Sequence, residues 1–292
     1  MLYTIQNDFL KADINTVGAE LSSLSSKQTG TEYLWHGDPA WWAGRAPILF
    51  PIVCSLKDGV YTYNGVTYSM PKHGFVRGAE FTVALIQDGK IIFEYSDNEE
   101  TRKMYPFSFL FQVTFELVDN QLIVIYRVIN RSDVAIYFSI GAHEAYRCPR
   151  EDGESFDDYY LEFETDDTYI SETVTPAGLI SGERYMVIEG DKTLPLKHEL
   201  FANDALIIKD VPSSRVSLKS KKSRAVVEIN YHDAPHLGIW TKVGAPYICI
   251  EPWYGLPDEV GHDGRIEDKL GIVSLGAGRE FVWPHDIKIH EN

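Results

Sequence analysis

At 292 residues, with 44% hydrophobic and 24% charged side chains, the chain can bury a large core and lies far from the composition of a disordered segment. Its formal charge of −16 and pI near 4.9 oppose general affinity for nucleic acid or an anionic membrane, because phosphate binding needs a positive face. Cys54, Cys148 and Cys249 stand far apart without C-x-x-C spacing, which indicates neither a disulfide framework nor a thiolate metal site.

The opening segment MLYTIQNDFLKADI lacks the basic start and apolar run of a signal peptide. No stretch approaches the roughly 18 apolar residues of a membrane helix, so the expected location is cytoplasmic. In VYTYNGVTY, Asn64-Gly65 supplies the positive φ angles of a type I′ turn between aromatic and β-branched residues, which reads as a hairpin. Asp97 to Met104 predicts a short capped helix stopped before Pro106. From Phe107 to Leu117 every second residue is apolar, the pattern of a half-buried strand; Asp119-Asn120 then signals a turn into a strand over Leu122 to Asn130. A third hairpin follows in RVSLKSKKSRAVVEINY, with a basic tip, and a second helical turn is expected over Arg265 to Leu270. No long linker, repeat or low-complexity tract divides the chain, so the expectation is one all-β domain over residues 1–292, a large antiparallel β-sandwich.

Four segments set polar groups inside apolar, Gly/Pro-bounded stretches: GRAPILFP (44–51), PKHGFVRG (71–78), SIGAHEAY (139–146) and ICIEPWYGLPD (248–258). Burying such groups is costly unless they are paired, and a shared cleft explains four insertions better than four accidents. Glu251 follows the apolar run Tyr247 to Ile250 and precedes Pro252, which predicts a carboxylate where a strand breaks at a sheet rim. Trp253 beside it offers a face for stacking on the CH surface of a pyranose. Arg45, Lys72 and Arg77 are the cations that could gather around one anion, a phosphate included. His232 and His236 have i,i+4 spacing, but the Pro235 between them forbids a regular helix, so no metal site is expected there.

In order and character these segments resemble the aldose 1-epimerase family, whose fold is the galactose mutarotase-like supersandwich, and specifically its LacX-like branch. WWAGRAPILFPIV, MPKHGFVRG, IGAHEAYRCP, FANDALIIKD and ICIEPWYGLPD carry the resemblance across nearly the whole chain. It implies Glu251 as general base, His143 as general acid, and Arg45, His73 and Asp204 as sugar-orienting residues. It implies interconversion of the anomers of a hexose without metal or organic cofactor, a small sugar as partner, and is compatible with a homodimer. Near neutral pH the division of labour expects an ionised Glu251 and a His143 held protonated by an acidic neighbour.

One departure stands beside the acid: Glu144 occupies the position where the family commonly has proline, and a carboxylate there would raise the pKa of His143 or reshape the cleft floor. Two other readings keep the same fold, a hexose-6-phosphate 1-epimerase and a carbohydrate-binding protein without catalysis. A glycoside hydrolase would need a carboxylate pair such as Glu251 with Asp258 or Glu259.

Overall fold

The alternating segment forms the strand Phe109–Val118, turns at Asp119 with φ 50°, and pairs antiparallel along its whole length with Gln121–Asn130. Its predicted inner face, Phe109, Phe111, Val113, Phe115 and Leu117, is buried. Asn64 and Gly65 take φ of 48° and 74° and join Val60–Tyr63 to Val66–Ser69, while Arg215–Ser220 pairs with Val226–Asn230 as the third hairpin. Asn98 caps a helix over Glu99–Met104, its side chain accepting from the N–H groups of Glu100 and Thr101. The second helical segment is a single 3₁₀ turn, Ile266–Asp268. This computed structural model describes residues 1–291; Asn292, the last residue of the expected domain, lies outside the described residues.

Most strands join one 14-stranded antiparallel sheet that doubles over into two layers. The doubling runs through Tyr159–Val174: residues Tyr159 to Phe163 pair with Arg215–Ser220, whereas Ser171 and Glu172 pair with Leu206–Lys209. Between those points its register against Ile180–Pro195 slips repeatedly, the irregularity that lets a long strand change layers. Phe111, Val113, Tyr126 and Val128 of one layer share a core with Ile208, Leu237, Ile239 and Ile250 of the other. The fold is therefore the antiparallel sandwich expected from the sequence.

The strand Tyr247–Tyr254 carries the candidate site and lies between His236–Trp240 on one side and the short strands Ile140–Gly141 and Glu144–Arg147 on the other. Ile248 and Ile250 face the core, while Tyr247 and Cys249 face Trp35, Ala145 and Ala245 on the opposite surface. Pro252 does not break this strand, contrary to the sequence expectation, and Glu251 sits within it. The neighbouring chain leaves the ladder at Ala142 and His143: Ala142 N–H donates to the Pro252 carbonyl, and the return bond that Pro252 cannot make is not required.

The indole of Trp253 rests on two glycines. A Cβ at Gly238 would come within 2.3 Å of its ring and one at Gly141 within 2.5 Å. Gly238→Ala must displace this indole and should lower stability by about 1–3 kcal/mol. Urea denaturation measures the change, and an unaltered midpoint would contradict the close seating of Trp253.

Candidate active site

Two registers fix the centre. Gly141 pairs with Trp253 and Glu144 with Ile250, so the residues between them fall opposite one another and His143 faces Glu251 across the strands. Nε2 of His143 lies 3.4 Å from Oε1 of Glu251. The two are only 7% and 2% exposed, and Nδ1 of His143 has no hydrogen-bond partner among the described residues.

Burial sets their protonation. It lowers His143 to about 3, with the charges of Lys72 and Arg77 acting in the same direction. It pushes Glu251 well above the usual carboxylate range, against the opposing pull of Lys72. The expected ion pair is thus replaced by a pair holding one proton, resting on Glu251, because desolvating both charged groups outweighs their attraction.

His73 stands edge-on to His143 with ring centroids 5.6 Å apart. A reciprocal clamp holds it: the Cys54 N–H donates to Nδ1 at 3.1 Å and the His73 N–H donates to the Cys54 carbonyl at 2.8 Å. His73 takes a φ of 67°, a left-handed conformation maintained by this clamp. Burial first, then His143 and the nearby cations, lowers its pKa well below the usual histidine value, which leaves a neutral ring whose Nε2 carries the hydrogen.

Around the pair opens a cleft of about 330 Å³, also lined by Lys72, Arg77, Asp204 and Trp253. Lys72 and Arg77 are exposed at its mouth and take part in no ion pair among the described residues. Asp204, with φ 82°, is exposed at the rim and accepts from the Ala205 N–H. Arg45 is not brought to the cleft. Its Nη1 donates to the Ser22 carbonyl at 2.6 Å and its backbone N–H to Glu20, which anchors the segment carrying Trp42. Trp253 is 1% exposed and forms the floor rather than a free stacking face.

Two further indoles wall the cleft, Trp42 and Trp240, neither singled out by sequence. The Trp42 ring stacks on His143 at 5.0 Å and 25°, and Trp240 stands edge-on to His143 at 6.1 Å. Both line the cleft and are half-buried. For Trp42 a signal was present: a Cβ on Gly44 would come within 2.5 Å of its indole, so WWAG folds the ring back on its own backbone.

Glu144 turns away from the cleft. As the strand neighbour of His143 it points to the opposite face, where its carboxylate lies 3.0 Å from Nε2 of the buried His285. It neither raises His143 nor floors the cleft. Asp258 is engaged elsewhere, in a buried ion pair with Lys269 at 2.8 Å while accepting the Lys57 N–H, and Glu259 is exposed; neither forms a carboxylate pair with Glu251 in the cleft. His232 and His236 also go separate ways, to Asp286 and to the Asp210 N–H.

The sequence matches the family model for aldose 1-epimerase over residues 1–265. It is 33% identical over 284 residues to the plasmid-encoded protein LacX of Lactococcus lactis subsp. lactis, covering 94% of this chain and 95% of that one. A galactose mutarotase related enzyme from Lactobacillus acidophilus superposes with a TM-score of 0.95 at 37% identity, covering 100% of this chain and 98% of that one. A galactose mutarotase-like protein from Lactobacillus casei ATCC 334 gives a TM-score of 0.94 at 32% identity over 99% of this chain and 100% of its own.

The raised pKa of Glu251 makes stability depend on pH. Unfolded, the carboxyl ionises at its ordinary value; folded, it keeps its proton to higher pH, so its favourable contribution is complete in acid and is lost as pH rises toward the folded pKa. Glu251→Gln removes this loss. The variant should exceed the parent in thermal stability by roughly 1–2 kcal/mol at pH 8 and by less at pH 5. An advantage that is absent, or that grows toward acid, would contradict the protonated state of Glu251.

Proposed function

The chain belongs to the aldose 1-epimerase family, and from that premise we propose that it interconverts the α and β anomers of a hexose with Glu251 and His143 as its acid–base pair. One observation carries the reading: a buried carboxyl and a buried imidazole face each other at 3.4 Å on the floor of a cleft walled by indoles.

Mutarotation takes a proton from the anomeric hydroxyl and gives one to the ring oxygen; the ring opens, C1 rotates and closure yields the other anomer. One group must be able to accept while the other donates, and a pair that shares a single proton meets that condition. Glu251 acts as base once its proton has passed to Nε2 of His143, a redistribution that the positive charge of Lys72 favours on the Glu251 side. His143 then donates to the ring oxygen. Closure reverses the transfers and restores the one-proton pair.

The other side chains position the sugar. Neutral His73 donates from Nε2 and Asp204 accepts at the rim, while Trp42 and Trp240 wall the cleft beside the pyranose. A protein that only bound sugar would have no use for the buried pair, whose desolvation lowers stability. Lys72 and Arg77, which take part in no ion pair among the described residues, favour a second reading within the same chemistry, in which the hexose carries a phosphate.

Polarimetry on freshly dissolved α-anomers tests the assignment. Glu251→Gln and His143→Asn should each slow mutarotation by about 10²- to 10⁴-fold while the circular dichroism of the sandwich persists. Near-native turnover by either variant would remove that residue from the acid–base pair. Parallel assays on glucose and glucose 6-phosphate decide the substrate: turnover confined to the phosphorylated sugar, with a KM raised by Lys72→Gln, assigns the phosphate to this pair of cations.

A further inference from the structure

The period-two alternation that turns Glu251 toward the cleft turns Cys249 to the same face of the strand, where it is a free, fully buried thiol. A ring nitrogen of His143, Sγ of Cys249 and a carboxylate oxygen of Glu251 all lie within 4.8 Å of one another. Buried Nδ1 of His143 has no hydrogen-bond partner among the described residues. We propose that His143, Cys249 and Glu251 form a capture site for a thiophilic divalent cation of the zinc type, and that its occupation blocks the acid–base pair. This site goes beyond mutarotation and does not require that the protein catalyse it.

The donor set selects the ion. Nitrogen, sulfur and carboxylate oxygen together are the ligands that Zn²⁺ and Co²⁺ accept in tetrahedral sites, whereas Mg²⁺ and Ca²⁺ demand a shell of oxygens that the three do not supply. Zinc–ligand bonds of about 2.0–2.3 Å set ligand atoms about 3.3–3.6 Å apart; Nε2 of His143 and Oε1 of Glu251 already stand 3.4 Å apart, and the trio, within 4.8 Å, would close through side-chain rotation. Charge favours the ion as well. A thiolate and a carboxylate offset its two positive charges beside a neutral imidazole, and the resulting complex is neutral in surroundings that penalise net charge. Binding releases the Cys249 thiol proton and the proton shared by Glu251 and His143. His143 and Glu251 line the cleft, which supplies the route of entry and a fourth position open to water.

Titrating chelator-treated protein with Co²⁺ tests the site without reference to turnover. The parent should develop a thiolate-to-cobalt charge-transfer band at one equivalent, and Cys249→Ala and Cys249→Ser should both lack it while keeping the circular dichroism of the sandwich. Zn²⁺ should raise the Tm of the parent by several degrees and leave that of the two variants unchanged, with Mg²⁺ affecting none. In polarimetry, stoichiometric Zn²⁺ should slow the parent roughly tenfold or more, reversibly with EDTA, while each Cys249 variant keeps its own metal-free rate. No cobalt–thiolate band in the parent, or equal bands and Tm shifts in the Cys249 variants, would overturn the proposal. If the protein shows no mutarotation, the cobalt band and the zinc-dependent Tm still decide the metal site.

Discussion

Two ionisable side chains are held out of water, face to face across neighbouring strands, and the rest of the site follows from that constraint. His143 and Glu251 meet because the chain opposite Tyr247–Tyr254 resumes the ladder in the same register after leaving it at Ala142 and His143. Burial then decides their charge. In water a carboxylate and an imidazolium 3.4 Å apart would attract; here the cost of desolvating both exceeds that attraction, and the neutral forms prevail. The chemistry proposed for the pair, one proton given as one is taken, is the chemistry that a single shared proton can perform.

Keeping such a pair aligned requires backbone that does not yield. Gly141 and Gly238 give way to the indole of Trp253, which supports the strand from the cleft side. The loop bearing Cys54 is tied twice, to His73 by a reciprocal pair of hydrogen bonds and to the chain beyond Glu251 by Asp258, which accepts from Lys57 and whose own N–H donates to Ser55. Asp258 is itself fixed by Lys269, whose ammonium also donates to the Leu256 carbonyl. A buried ion pair of this kind adds little net stability, but losing one partner strands a charge, so it holds a loop in one place. Arg45 does similar work at the other wall, anchoring the segment that lays Trp42 on His143.

The hairpins were legible in the sequence because local chemistry dictates them: Asn64-Gly65 takes the positive φ angles its residue types permit, and the alternation from Phe109 to Leu117 is the burial pattern itself. Of the residues named from sequence, Lys72, His73, Arg77, His143, Asp204, Glu251 and Trp253 line one cleft and Arg45 does not; their arrangement was not legible. Pro252 suggested a strand break, since a sequence does not show that the opposite chain leaves the ladder at Ala142 and His143. Glu144 suggested a tuned acid, yet adjacency along a strand means opposite faces, and its partner His285 arrives from a distant strand. Arg45 is drawn to a carbonyl on the strand Glu20–Ser26, and Trp240 reaches the cleft only through the pairing of His236–Trp240 with Tyr247–Tyr254. Cys249 carries no metal-ligand spacing in sequence because its companions meet it by register, not by motif. Period and turn chemistry are local; which face meets which partner is decided by tertiary pairing.

The central claim concerns where one proton resides, and ¹⁵N NMR of the histidine side chains, with His143 assigned by its loss in His143→Asn, measures that most directly. The account predicts that His143 remains a neutral imidazole down to pH 5, well below the ordinary histidine midpoint and consistent with a pKa lowered to about 3. An imidazolium at pH 5, titrating with an ordinary midpoint near 6.5, would contradict it.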